Sequence, residues 1–266
     1  MKKLSLLLSL FLLSPLLYAV TPITPVILAD NSECLFRVVA YEEGSMSFTL
    51  KAQCENMSES KTYTFLIDDA TVNGLMENST GYAEVSPKKK ANMNITFYGL
   101  NADGIDIASD INLYFRVYDS NDYLSDSVGE GNEHVYPYGK DKQKSFIRAK
   151  SENDLTLINT NDVSVVVIDK SFDSKLELKV YLENNTDKNV LFSLDDSSIN
   201  GYMADPYWAT SVLPYSSKYS TISWSQRTLD ENFIFEVEDI EFELKAYDYD
   251  DWLSPNIVQE QIKIEF

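Results

Sequence analysis

The sequence predicts an all-β chain of two tandem immunoglobulin-like antiparallel β-sandwich domains. Three observations predict it. First, one stretch occurs twice: Asp68-Asp69, Asn73-Gly74, Met76, Val85, Pro87 and Ile95 return as Asp195-Asp196, Asn200-Gly201, Met203, Val212, Pro214 and Ile222, each 127 positions later. Second, apolar and polar residues alternate with period 2, the pattern of strands that bury one face. Third, Asn-Gly pairs and clusters of Ser, Thr, Asn and Asp punctuate the strands at short intervals, with no amphipathic helical stretch between them.

The chain opens on Lys2, Lys3 and the apolar run Leu4–Leu17, with Ala19 at a cleavage position, so residues 1–19 read as a secretory signal peptide. The run is too short to span a membrane comfortably, and no transmembrane segment follows. The expected location is extracellular, on the cell surface or in a periplasm. Removing residues 1–19 takes two lysines and no acid, which moves the net charge from −20 to −22. Such a surface repels nucleic acid and anionic lipid, so no nucleic-acid partner is expected.

Residues 20–31, with Pro22 and Pro25, read as an extended lead-in. The first sandwich is assigned to 32–137. Cys34–Tyr41 and Ser47–Cys54 form a hairpin about Gly44, with position 34 opposite 54 and 36 opposite 52. Its apolar face carries Cys34, Phe36, Val38, Ala40, Phe48, Leu50, Ala52 and Cys54. The two cysteines then lie opposite each other, and in an exported protein they read as a disulfide, Cys34–Cys54. The bland alternative is a pair of reduced core thiols. A strand enters each Asp-Asp segment, a turn follows at each Asn-Gly, and Ile95 with Phe97, or Ile222 with Trp224, marks the next strand. Ile111–Val117 and Ile240–Ala246 alternate in the same way at a spacing of 129, and both end in Tyr-Asp. Last strands lie near 128–136 and 258–266. Residues 138–153 form a linker with a basic run, and 154–266 form the second sandwich, where Leu182 replaces Cys54.

The second copy contains Asn200-Gly201-Tyr202-Met203, Trp208-Ala209, Val212 with Pro214, and Tyr247-Asp248-Tyr249-Asp250-Asp251-Trp252. It resembles a largely uncharacterised repeat of exported Gram-positive-type bacterial proteins that carries Asn-Gly-Tyr-Met and Tyr-Asp-x-Asp-Asp-Trp motifs. The first copy keeps Asn73-Gly74, Met76, Val85 with Pro87, and Tyr118-Asp119 to Asp122-Tyr123, and lacks the Trp-Ala pair. The resemblance implies an exported β-sandwich module and no catalytic residues.

Two sets of residues are candidates for binding. The acidic loop Asp248, Asp250 and Asp251, with Asp119 and Asp122 in the first copy, offers hard oxygen ligands for weak calcium binding. The alternative is a solvated turn whose aspartates cap backbone groups. The aromatic set Tyr202, Tyr207, Trp208, Tyr215 and Tyr219 offers a contact surface, with Trp208 placed over the core and Tyr215 and Tyr219 outward. The one histidine, His134, has no match in the second copy, and the disulfide reading occupies both cysteines, so no enzyme is expected. The expected function is an exported, non-catalytic binding or adhesion module for a protein or glycan at the cell envelope or host surface. The alternatives are a structural spacer or accessory subunit of an envelope protein and, behind both, a polysaccharide hydrolase working through two carboxylates. Oligomeric state is left open.

Overall fold

Strands occupy the alternating stretches. The computed structural model describes residues 19–266 apart from Tyr123 and Trp252. Residues 1–18 of the signal-peptide reading, and the Trp252 that closes the repeat motif, lie outside the described residues. Among those described, no helix is long and apolar enough to cross a membrane.

The first half contains β1 (Thr21–Asp30), β2 (Cys34–Glu43), β3 (Ser47–Asn56), β4 (Tyr63–Val72), β5 (Leu75–Met76), β6 (Ser79–Thr80), β7 (Tyr82–Val85), β8 (Lys90–Tyr98), β9 (Ile111–Asp119) and β10 (Gly129–Val135). One sheet runs β1-β2-β3-β8-β6, and the other runs β10-β9-β4 with β5 and β7 beside β4. Their inner faces meet in one apolar cluster. The Phe36 ring from β2 stands edge-on to Phe65 from β4, with centroids 5.4 Å apart.

The second half repeats this order with β11 (Leu155–Asn159), β12 (Val163–Phe172), β13 (Leu176–Asn184), β14 (Val190–Ile199), β15 (Tyr202–Met203), β16 (Ala209–Val212), β17 (Ser216–Trp224), α1 (Gln226–Glu231), β18 (Asp239–Asp248) and β19 (Val258–Glu265). Strands β11-β12-β13-β17 form one layer, and β15-β14-β18-β19 with β16 form the other. A second apolar cluster lies between them around Phe192, Phe242 and Trp224. The Trp224 indole N–H donates to the Ala204 carbonyl at 2.9 Å, so its one polar atom is satisfied in the core.

Several expectations are corrected. The lead-in is an edge strand: β1 pairs with β2 from Thr21 opposite Tyr41 to Asp30 opposite Leu35, with irregularities that accommodate its prolines. The β2–β3 hairpin is displaced by two residues from the expected register. Glu43 faces Phe48, a bulge falls between Val38 and Ala40, Cys34 faces Asn56, and Cys54 faces Phe36. The cysteines share the buried face but stand diagonally, and no bond joins their sulfurs in this structure. Each half has more strand segments than the sequence marks, because β5, β6 and β7 in the first half and β15 and β16 in the second are short pieces. An α-helix, α1, forms where Ser225 Oγ caps the amide of Thr228 at 3.2 Å.

The halves join through the first copy's Asn-Gly turn. Leu75 in β5 pairs parallel with Ser217 in β17, so a sheet of the first half continues into the second. The Met76 side chain packs against the second core, and its sulfur accepts the Leu213 amide at 3.4 Å. Within the linker segment, the Phe146 amide donates to the Asn73 carbonyl at 2.7 Å.

Candidate functional site

Most of the duplicated polar residues hold the sandwiches together. The Asp-Asp pairs are bulges: register shifts fall between Ile67 and Asp69 and between Asp195 and Ser198. Asp68 forms a two-pronged pair with Arg116, both contacts at 2.7 Å, and Asp195 pairs with Lys245 at 2.7 Å. Asn73 and Asn200 adopt positive φ, at 55° and 50°. Asn73 Nδ2 donates to the Ile107 carbonyl at 2.7 Å, and its Oδ1 accepts from the amides of Ser109 and Asp110 at 3.0 and 3.1 Å. Asn200 does the same with Glu236, Glu238 and Asp239. Asn56 and Asn184, both buried, clamp Lys61 with Val85, and Lys188 with Val212. These asparagines satisfy backbone groups that the turns leave without strand partners.

The acidic loops do the same kind of work. Asp248 Oδ1 accepts the Asp250 amide at 3.0 Å, and its Oδ2 pairs with Lys188 Nζ at 2.7 Å. The hydrogen bond from Lys188 holds the Asp248 carboxyl below the usual carboxylate range. Asp119 likewise accepts the Asn121 amide at 3.0 Å and lies 3.5 Å from Lys61. Among the described residues, no three His, Cys, Asp or Glu side chains converge as a metal ligand set. Asp248 is engaged in a capped turn with a lysine counter-charge, the arrangement weighed as the alternative to calcium for this loop.

The aromatic set is scattered. Trp208 is buried over the second core, with its indole N–H on Ser220 Oγ at 3.0 Å. Tyr202 and Tyr207 are exposed on the second half. Tyr219, expected outward, is half-buried at the junction of the halves, 5.2 Å from Tyr181 and 6.3 Å from Phe146 between ring centroids. Arg148 lies over Tyr181 at 5.1 Å and pairs with Asp154. Tyr215 alone of the set projects into a cleft between the halves and is 69% exposed.

That cleft has a volume of about 480 Å³. Strands β9 and β10 form one wall, presenting Asn112, Tyr114, Asn132 and His134, and the Pro214-Tyr215-Ser216 turn of the second half forms the other. Asp110 lies beneath. Its Oδ1 is 2.6 Å from His134 Nδ1, and its Oδ2 accepts from Gln143. The hydrogen bond with Asp110 raises the His134 pKa above 6.5 against the opposing effect of burial. Asn132 Nδ2 donates to Asn112 Oδ1 at 3.2 Å. A neighbouring depression sharing Tyr114, Asn132, Asp187 and Pro214 extends the cleft toward Lys188, Asn189 and Asp248. The Asn189 Oδ1 there is buried without a hydrogen-bond partner among the described residues.

The sequence reading missed Asp110, Asn112, Asn132 and Gln143. Their only signal was polarity just before β9, at one position each in β9 and β10, and in the linker. His134 stood out only as a lone histidine.

Set against protein-family models the chain matches none, and a search of curated proteins returns no match. Among solved structures, the crystal structure of red sea bream transglutaminase aligns at 11% identity with a TM-score of 0.24, over 92% of this chain and 31% of that one. The chain spans about a third of that protein's length, and a likeness of this size carries no argument about fold or activity.

Proposed function

We propose that the chain is an exported, non-catalytic binding module that holds a hydroxyl-rich glycan of the cell envelope or of a host surface in the cleft between its halves. The observation that carries this reading is the exposed Tyr215 ring beside a row of amide and imidazole groups from Asn112, Asn132 and His134. A flat aromatic face with donors and acceptors beside it suits a sugar ring, which has apolar faces and a polar rim. The signal-peptide pattern and the resemblance to exported bacterial repeats support the location. The spacer reading draws on a different observation, that the duplicated residues are consumed by bulges, turns and clamps.

The test is a glycan array probed with the chain from residue 20 onward, followed by titration calorimetry on any hit. Tyr215→Ala and Asn132→Ala should each weaken a true hit by about tenfold or more, the loss of one good contact. A hit indifferent to both variants would move the site elsewhere. Silence across envelope and host glycans would favour the spacer.

A further inference from the structure

Each half has a head, its Asn-Gly turn, and a tail, the loop entering β8 or β17. The first head is docked on the second tail: Gly74 accepts the Ser217 amide at 2.9 Å, Leu75 pairs with Ser217, and Met76 reaches the second core. Charge accords with the contact: Asp69 on β4, the strand leading into the first head, and the half-buried Lys218 on β17, the strand leaving the second tail, are close enough to attract each other.

The second head has the same construction, and no described residue covers it. Its Asn200-Gly201 turn has the φ values of Asn73-Gly74 and the same asparagine clamp. Yet Tyr202 and Met203, which stand where Leu75 and Met76 stand, are 57% and 68% exposed. Phe233 and Phe235, on the loop the Asn200 side chain holds, are 79% and 74% exposed. Four large apolar side chains thus lie exposed on the two segments that Asn200 ties together. Acids surround them: Asp196, Asp205, Glu236 and Glu238 are all exposed.

The first tail is also uncovered. Its turn matches the docked one, with Lys88 at φ 59° where Tyr215 has φ 51°. It reads Ser86-Pro87-Lys88-Lys89-Lys90, and all three lysines are exposed. Lys88 and Lys90 touch Glu59 and Glu55 at 2.7 and 2.8 Å, surface pairs that are readily exchanged.

From these matched ends we infer that the second head docks on the first tail of another copy of this chain. The occupant is a second copy because the contact already exists once within the chain, and because the free ends carry opposite charge in the same sense as the seam. A head-to-tail contact is heterologous, so copies add in a row and do not stop at a symmetric pair. This inference is independent of the glycan reading, whose cleft lies at the internal seam.

The test is sedimentation velocity on the chain from residue 20 onward, from low micromolar to millimolar concentration, at low and high salt. The expected result is a mean mass that climbs beyond the dimer with concentration and falls back at high salt. A head variant, Tyr202→Ser with Met203→Gln, and a tail variant, Lys88→Glu with Lys89→Glu, should each remain monomeric. Mixed in equal amounts they should form a dimer and no more, because one free head and one free tail remain to meet. Unchanged melting curves would show that both variants fold. Should the tail variant misfold, Lys89→Ser alone should still weaken association. A wild-type chain that stays monomeric throughout, or a dimer that neither variant disturbs, overturns the inference.

Discussion

The Ser217 amide donates to the Gly74 carbonyl at 2.9 Å, and this bond ties the two halves at the point where β5 meets β17. Met76, the next residue but one after Gly74, rests half-buried on the second core. Met76→Ala should cost about 1 to 2 kcal/mol, less than a fully buried methionine. In calorimetry the melting of the two halves should separate. One undivided transition at the original temperature would show that the seam does not couple them.

Glu77 follows at the same seam, with Oε1 buried and lacking a hydrogen-bond partner among the described residues. Burial first, and the nearby Asp103 second, push its pKa up to about 7. The folded chain therefore holds a proton that the unfolded chain releases near pH 4.5. Stability should fall as pH rises from there to about 7, and Glu77→Gln should remove the loss. The variant should melt higher than wild type at pH 8, by the equivalent of about 1 to 3 kcal/mol, and equally at pH 4. Equal melting at both pH values would place Glu77 in contact with water.

The Asn73 and Asn200 side chains close the head of each half. Asn73→Ala removes three backbone bonds and leaves alanine at φ 55°. The expected loss is about 2 to 4 kcal/mol from unsatisfied groups and backbone strain. Asn200→Ala should cost somewhat less, since its surroundings are more exposed. Urea titration of both variants checks the order.

Lys188 holds Asp248 ionised, so the aspartate contributes stability in full above the pKa of an unfolded aspartate. The contribution is lost as pH falls through the lower folded value. Asp248→Asn should lower the melting temperature at pH 7, and the difference from wild type should shrink as the pH is taken below the usual aspartate range. Melting curves in calcium and in EDTA should coincide, because the Asp248 oxygens are taken by Lys188 and the Asp250 amide. A rise in melting temperature with calcium would restore the cation site.

Burial pushes the Cys34 thiol up to about 11 and the Cys54 thiol to about 12. Neither should react with a thiol reagent in the native chain at pH 8, and both should react at once in guanidinium. Counting thiols before and after unfolding decides it. Fast native labelling would contradict the burial, and no reaction after unfolding would show that the pair oxidises.

The cysteine pair shows how far alternation reaches. The faces of β2 and β3 were legible: Phe36, Val38, Leu50 and Ala52 are all buried as their positions predict. The register was not. A slip of two residues leaves every side chain on its own face, so the pattern is blind to it. Only the turn at Gly44–Ser47 and the bulge at Val38–Ala40 select the pairing. Trp208 was readable as a core cover. Tyr219 was not, because its partners Tyr181 and Phe146 come from another strand and from the linker.

By itself, the sequence determined the all-β class, most of the long strands, their buried faces and the correspondence of residues 127 apart. Each of these is a local or periodic property, and hydrophobic burial enforces it wherever the strand packs. The tertiary structure alone decided that Asn-Gly is a clamp, that the acidic loop is a lysine-paired turn, and that Tyr215 meets His134 across a cleft. Those meetings depend on loop lengths, bulges and the docking of one half's turn on the other, and no repeating pattern along the chain records them.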